Sequence, residues 1–346
     1  MVKAPKVIRV GVIGLRFGAQ VHVPAFRTDS RCVVAALTGR DIKRTMSVAK
    51  ELGVPASYAD WRALLTSDSI DAVSIAVPPL EQTAIIAEAA SLGKHVFCEK
   101  PLAASVSDAE SALECVRRAS IVHAIDFIFP EIPAWRLTRK LIRDGAIGAP
   151  RHFFYTWRIE TFASRTKTTS WKNRSREGGG AVGNFLSHVV YNLEWLLGGV
   201  DKIDNLPRSH SGLAGSFCDC IVHLAGGVHG SISISTDAYL GGGHQIEIYG
   251  ESGTIVLRNS TSDYVDGFEL SVGTRENGRL EVVSHDPSQS GVDGRIAPVG
   301  RIVRRFLNGI LEEGSVTPNL EHGLHVQRWL QRINDAETCR AGESLR

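Results

Sequence analysis

Between Val7 and Phe127, short apolar runs alternate with stretches of helical pattern, and this alternation constrains the chain more than any other feature. Residues 7–13 are β-branched and apolar and read as a first, central strand. They lead into Gly14-Leu15-Arg16-Phe17-Gly18-Ala19 and then the helical pattern of Val21, Pro24, Ala25 and Phe26. A second strand is expected at 32–37, with its helix ending near Leu52-Gly53. A short helix around 61–65, a buried strand at 72–77 closed by Pro78-Pro79, and a helix at 82–92 stopped by Gly93 follow. The strand 95–99, the helix 107–119 capped by Ser107 and the strand 121–127 complete the series. Strand and helix alternate throughout, so residues 1–127 read as a doubly wound parallel sheet of the α/β class.

After Phe127 the texture changes. A helix is expected at 134–144, a strand at 151–161, and a polar loop at 164–177 that holds Trp171 and Lys172. Gly178-Gly179-Gly180 breaks the chain before a helix at 181–197, whose Val182, Phe185, Val189, Leu193 and Leu196 form a core stripe. From Phe217 to about Val283 the pattern is strands with glycine turns and no helical crossovers, hence a mainly antiparallel sheet. Helices at 297–311 and 319–336 close the chain. Residues 128–346 therefore read as an α+β domain with a large open sheet, and the last helices can pack back on the first domain. An uncovered sheet face would be a natural surface for a homodimer or homotetramer.

Composition limits the function classes. The chain has 346 residues, 43% hydrophobic and 22% charged, enough for two cores. A net charge of +2 lacks the concentrated basic face of a nucleic-acid binder. No apolar run reaches membrane-spanning length, and the N-terminus shows no export signal, so a cytoplasmic protein is expected. The six cysteines form no Cys-x-x-Cys and no zinc-like cluster, and buried free thiols with no metal are expected.

Four places carry chemistry. Gly14 and Ala19 fit the ends of Gly-x-Gly-x-x-Gly/Ala, the turn that cradles a dinucleotide pyrophosphate, but Arg16 stands in the middle. Its guanidinium either crowds the turn or swings out towards a phosphate. A second strand ending in Gly39 and Arg40, with Lys43 and Arg44 following, lacks the acid that binds a ribose 2′-hydroxyl. That favours a 2′-phosphate, hence NADP with NAD as the alternative, unless these cations are only a solvated helix start. Glu99-Lys100-Pro101 ends a buried strand with an acid, a base and a proline. It is either a surface pair before a turn or a lysine held where open α/β sheets bind ligands. On the later helix, Asn184 and His188 are four apart and share one face.

Together these stretches resemble the glucose–fructose oxidoreductase / inositol dehydrogenase / MocA family. The resemblance rests on Val10 to His22, on Gly93 to Leu102 and on Gly178 through Asn184 and His188 to Gly198. It implies a Rossmann domain, an open-sheet domain and a nicotinamide coenzyme. It implies that Lys100 binds the reacting oxygen, that His188 exchanges its proton, and that Glu99 and Pro101 position Lys100 in a cis Lys-Pro segment. Gly14, Arg16, Phe17, Gly18, Ala19, Arg40, Lys43, Pro78, Gln82, Glu99 and Lys100 fall at coenzyme positions. Trp171, Lys172, Asn184 and Tyr191, with Lys100 and His188, fall at substrate positions, and Asn184 joins Lys100 and His188 in the implied catalytic set. Where the family usually has aspartate before the histidine, this chain has Asn184, which supplies no charge. The implied activity is an NADP-dependent dehydrogenase or reductase of a sugar, cyclitol or nucleotide-linked sugar. The alternative is a catalytically weak dinucleotide-binding regulator, which Arg16 and Asn184 would favour.

Overall fold

The computed structural model describes residues 7–343 apart from 169, 175–176, 206–214, 262, 287–291 and 313. It divides into two compact units, one running to Ile128 and including Arg295–Gln327, the other comprising Phe129–Gly294 and the chain from Arg328.

In the first unit, strands and helices alternate as β1 (Ile8–Ile13), α1 (Val23–Phe26), β2 (Cys32–Thr38), α2 (Ile42–Glu51), β3 (Ala56–Tyr58), α3 (Trp61–Leu65), β4 (Ala72–Ile75), α4 (Pro79–Ser91), β5 (His95–Cys98), α5 (Val106–Arg118) and β6 (His123–Ile125). The six strands form a parallel sheet in the order β3-β2-β1-β4-β5-β6. The order reverses between β1 and β4, and the carboxyl ends of those strands bound the crevice where such sheets take ligands. Ile8, Val10, Val12, Ala72, Val73, Val96 and Phe97 are fully buried, as strands covered on both faces require.

One local expectation is corrected, and one strand is new. The cap of α5 is Ser105, not Ser107: its hydroxyl accepts from the Asp108 amide at 3.1 Å. Asp108 thereby lies inside the first turn, where a negative charge is favourable. The strand β3 was not foreseen, since three half-buried residues carry no apolar run.

The second unit contains α6 (Pro133–Arg143), β7 (Pro150–Arg158), α7 (Phe162–Thr166), α8 (Ser187–Leu197), β8 (Val200–Asn205), β9 (Phe217–Leu224), β10 (His229–Ser235), β11 (Gly243–Gly250), β12 (Gly253–Asn259), β13 (Glu269–Thr274) and β14 (Glu281–His285). Its eight strands run β14-β13-β12-β11-β7-β10-β9-β8, antiparallel except for the parallel pair β7–β10. The edge strands β8 and β14 were missed because their residues are polar or half-exposed. Alternation sets the faces: Phe153, Tyr155, Trp157, Ile246 and Ile248 are buried, while Phe154 is 46% exposed. Along the outer face His223, His229, His152 and Tyr249 occupy directly paired positions on four strands. The His152 and Tyr249 rings stack at 4.7 Å.

The expected helix over 181–197 has two parts. Ala181–Leu186 is wound as a π-helix and α8 follows it. The preceding glycines explain the tight entry. Gly178 and Gly180 have φ of +81° and +74°, and a Cβ on Gly183 would lie 2.0 Å from the Gly178 carbonyl oxygen.

The chain then forms α9 (Ile296–Glu312), which belongs to the first unit and sets Phe306 against Phe97 at 5.8 Å. The last helix, α10 (Leu320–Glu343), closes the described chain. Cys32, Cys98, Cys218 and Cys220 are buried free thiols and Cys115 is a half-buried one. Among the described residues, no helix is long and apolar enough to cross a membrane.

Candidate active site

In the first unit the turn after β1 is built around two glycines. Gly14 has φ +125°, and a Cβ there would lie 2.3 Å from the Ala76 carbonyl oxygen, just beyond β4. Gly18 meets Val12 and Ala76 so closely that a Cβ would come within 3.1 and 3.2 Å of their side chains. Gly18, with Ala19 buried beside it, therefore makes the close helix–strand contact. Arg16 is exposed and does not crowd the turn. The turn continues into a π-wound segment, Gly18–His22, which Phe17 enters without a side-chain cap. Uncapped amides at a helix start suit an anion, and a Cβ-free turn at the strand-order switch suits a pyrophosphate, so these residues fit a dinucleotide.

Past β2, Gly39 has a steric reason to be glycine: a Cβ would lie 2.5 Å from Leu15 Cγ. Arg40 is exposed and pairs with Glu81, in the first turn of α4. That acid is far away in sequence and only the fold brings it to Arg40. Lys43 is exposed on α2, and Pro78 is half-buried at the start of α4.

The segment after β5 is held from several sides. The Lys100–Pro101 peptide is cis. Gln82 is fully buried, and its Nε2 donates to the carbonyls of Glu99, Pro101 and Leu102 at 2.7, 3.2 and 3.0 Å. Gln82 thus grips the backbone on both sides of Lys100. Glu99 Oε1 lies 3.1 Å from His22 Nε2, and Glu99 Oε2 accepts from the Lys100 amide at 3.3 Å. His22 Nδ1 lies 2.7 Å from Ser74 Oγ, and Asp126 Oδ2 is 3.5 Å from His22 Nε2.

Sheet register explains this meeting. Cys98 pairs with Ile125, so the residues that follow each, Glu99 and Asp126, emerge side by side at the carboxyl ends of β5 and β6. His22 enters from the first helical turn and is fully buried, as is Asp126 to within 1%. Burial opposes a charge on His22, but Asp126 and Glu99 overcome it and lift the imidazole to about 9. Burial also works against an ionised Glu99. The His22 contact and the His22 and Lys100 charges outweigh it and hold Glu99 below the usual carboxylate range. For Asp126, burial and the neighbouring Glu99 charge push the carboxyl up to about 7. At neutral pH the trio therefore holds an imidazolium and a Glu99 carboxylate, with Asp126 within its titration range beside them. Their ligand-type atoms lie within 4.8 Å of one another, but His22 spends its Nε2 on Glu99 and its Nδ1 on Ser74.

Neither His22 nor Asp126 was assigned a role from the sequence. The available signal was an acid inside the apolar run Ala124-Ile125-Asp126-Phe127, since unpaired buried acids are rare.

In the second unit His188 lies on α8, 5% exposed. The Phe129 ring meets it edge-on at 4.9 Å, and Trp157 lies 6.1 Å away. Behind them His244 stacks on Trp157 at 4.1 Å and shares a 2.6 Å hydrogen bond with the Tyr155 hydroxyl. Asn192, one turn after His188, donates to the same hydroxyl at 3.3 Å. Burial pulls His244 down to about 3, so it is neutral and packs as an aromatic ring. Asn184 is half-buried in the π-wound segment and Tyr191 is buried on α8. The backbone at Trp171 and Lys172 presses on Gly179, where a Cβ would lie 1.9 Å from the Trp171 carbonyl oxygen. Lys172 is exposed, its Nζ 6.0 Å from the Trp171 ring centroid.

Residues 8–127 match the GFO/IDH/MocA oxidoreductase family with its NAD-binding Rossmann fold, and residues 135–256 match the GFO/IDH/MocA C-terminal domain. An uncharacterised oxidoreductase of Synechocystis sp. is 31% identical over 346 residues, covering 94% of this chain and 93% of the relative. A levoglucosan dehydrogenase of Pseudarthrobacter phenanthrenivorans is 26% identical over 366 residues, covering 92% and 93%. A solved levoglucosan dehydrogenase complex with NADH and levoglucosan superposes with a TM-score of 0.83 at 23% identity, covering 96% of this chain and 97% of that one, a likeness of fold. With a glycine turn at the strand-order switch, a clamped Glu-Lys-Pro segment and full-length similarity to such a relative, the chain belongs to the GFO/IDH/MocA family of NAD-binding oxidoreductases.

Proposed function

We propose that the protein is an NADP-preferring dehydrogenase or reductase that interconverts a hydroxyl and a keto carbon of a sugar or cyclitol. The observation that carries this reading is the clamp on Lys100: Gln82 and the Glu99 carboxylate fix the backbone from which a cationic side chain emerges at the end of β5. Relatives named as levoglucosan and myo-inositol dehydrogenases support the substrate class. The bound coenzyme supplies or accepts the hydride. Gly14, Gly18 and the amides of the uncapped turn hold the pyrophosphate, Phe17, Ala19, Pro78 and Arg16 border the coenzyme, and Arg40 with Lys43 supplies the cations for a 2′-phosphate. Lys100 donates a hydrogen bond to the reacting oxygen and stabilises the negative charge that grows there. His188 takes the hydroxyl proton in oxidation and returns it in reduction, while its aromatic neighbours limit solvation of the ring. Asn184, Tyr191, Trp171 and Lys172 orient the substrate hydroxyls. A panel of polyols and keto-sugars, followed by nicotinamide absorbance, tests the reading; turnover of no member with either coenzyme would overturn it.

Coenzyme choice is tested separately. Arg40 must turn from Glu81 to reach a 2′-phosphate, so Glu81 restrains the preference. NADPH should bind more tightly than NADH, Arg40→Asp should reverse the order, and Glu81→Gln should strengthen NADPH binding. A charge-assisted contact of this kind is worth roughly tenfold or more in affinity. Equal Kd values for both coenzymes in the parent protein would defeat the argument.

We assign the outer face of the eight-stranded sheet to self-association, on the strength of its ring row and the exposed Phe154. Phe154→Glu should lower the sedimentation coefficient of an otherwise folded protein. An unchanged coefficient in the variant, or a parent that already sediments as a monomer, would remove this assignment.

A further inference from the structure

His22 has no place in the reaction as described, yet it is fully buried and joins four elements. Its imidazole faces Ser74 on β4, Glu99 after β5 and Asp126 after β6, with the Phe17 and Phe97 rings edge-on at 5.2 Å on its flanks. The other titratable and charged groups near it are the buried Cys98 thiol, Lys100, whose charge acts on Glu99, and Arg295, whose guanidinium lies 5.1 Å from the Phe17 ring centroid. The two oxygens of Glu99 divide their work. One accepts from His22 and the other from the Lys100 amide. A carboxylate in that bridge transmits the position of a buried ring to the backbone of the oxygen-binding lysine.

We propose that His22 is a positioning residue for Lys100: as a buried cation it keeps Glu99 ionised and aimed at the Lys100 amide, so that the lysine is held in place before substrate arrives. Asp126 adds to this arrangement less negative charge than an ordinary aspartate would, because burial and the Glu99 charge push its carboxyl upward. Were both carboxyls ionised beside one imidazolium, the buried cluster would carry a net negative charge, which is costly without solvent. The proposal rests on the reading of Lys100 given above.

The direction of the pH effect follows from the charges. His22 holds Glu99 below its ordinary range. Removing the imidazolium lets Glu99 take up a proton at higher pH, and the protonated acid holds the Lys100 amide less strongly than the carboxylate does. Activity that needs ionised Glu99 then disappears at higher pH than before, so the acidic limb of the kcat/KM profile moves upward.

The test compares the parent enzyme, Lys100→Ala, His22→Gln and Asp126→Asn across pH, with NADPH affinity measured apart from turnover. Turnover in the parent and its loss in Lys100→Ala establish the role of Lys100. His22→Gln keeps a hydrogen-bonding group without the charge. It should lower kcat by about 10²-fold, the usual penalty for a small misplacement, leave NADPH affinity within a few-fold and raise the acidic limb by about one unit. Asp126→Asn resembles the protonated acid and should stay close to the parent below about pH 7, where Asp126 itself is protonated. A His22→Gln profile that superposes on the parent overturns the proposal, as does an equal kcat loss in both variants with no shift in the limb.

Two spectroscopic readouts do not depend on turnover. In the parent with NADPH bound, nitrogen-15 spectra should show both ring nitrogens of His22 protonated at neutral pH, and a neutral ring would overturn the proposal even if His22→Gln failed to fold. In carbon-13 lysine-labelled protein, the Lys100 side-chain signal should move in His22→Gln. An unmoved signal would separate His22 from Lys100 even if no substrate were turned over.

Discussion

Lys100→Ala should lower kcat by about 10²- to 10³-fold, the loss expected when one preorganised donor to a developing oxyanion is removed. Negative charge gathers on the substrate oxygen as the hydroxyl proton is removed in oxidation, or as hydride arrives at the carbonyl in reduction, and a donor fixed before the reaction begins stabilises that charge without reorganising. The geometry supplies the fixing. Three carbonyls around Lys100 are held by Gln82, and its own amide is held by Glu99. Truncating the side chain leaves those four bonds intact, so stability and coenzyme affinity should change little. His188→Ala should cost about 10²- to 10⁴-fold, the range for a lost general acid or base. Steady-state rates on the best panel substrate, with thermal melts alongside, check both. Near-parental rates in the two folded variants would remove these residues from the chemistry.

The largest structural effect is expected at Gly14. An alanine Cβ there would lie 2.3 Å from a backbone oxygen, and the residue sits at φ +125°. The backbone cannot yield easily, because the Ala76 amide is bonded to the Ile13 carbonyl at 2.8 Å and anchors β4 to β1. Backbone strain and overpacking act together, and Gly14→Ala should cost about 3–5 kcal/mol and abolish NADPH binding. Gly93 provides the comparison. Its φ is +66°, but nothing lies within 4 Å of a Cβ, so Gly93→Ala should cost only about 1 kcal/mol. Denaturant midpoints for the two variants test the argument. Equal shifts would show that the Ala76 contact carries no weight.

The elements read correctly from sequence are those whose signal is local. Buried strands such as β4 and β5 are apolar throughout because helices cover both faces of a parallel sheet. The strands β7, β9, β10 and β11 alternate because one face of their sheet is buried. Elements that escaped lack such a signal. β3, β8 and β14 lie at sheet edges, where few side chains are buried. The π-wound turns at Gly18–His22 and Ala181–Leu186 escaped for a different reason: helix winding depends on how closely neighbouring backbone approaches.

The same division runs through the site. By itself the sequence determined the family, the glycine turn, the Glu99-Lys100-Pro101 segment and the residues to test as Lys100 and His188, because each is a contiguous string read against a strand or helix beside it. It could not determine which side chains meet. The tertiary structure alone set Glu81 on Arg40, closed Gly39 beneath Leu15, turned Gln82 onto the Lys100 segment and assembled His22, Glu99 and Asp126. The physical reason is that buried charge is tolerated only where partners converge, and here they converge through the parallel register of β5 and β6 and the packing of a turn more than seventy residues upstream.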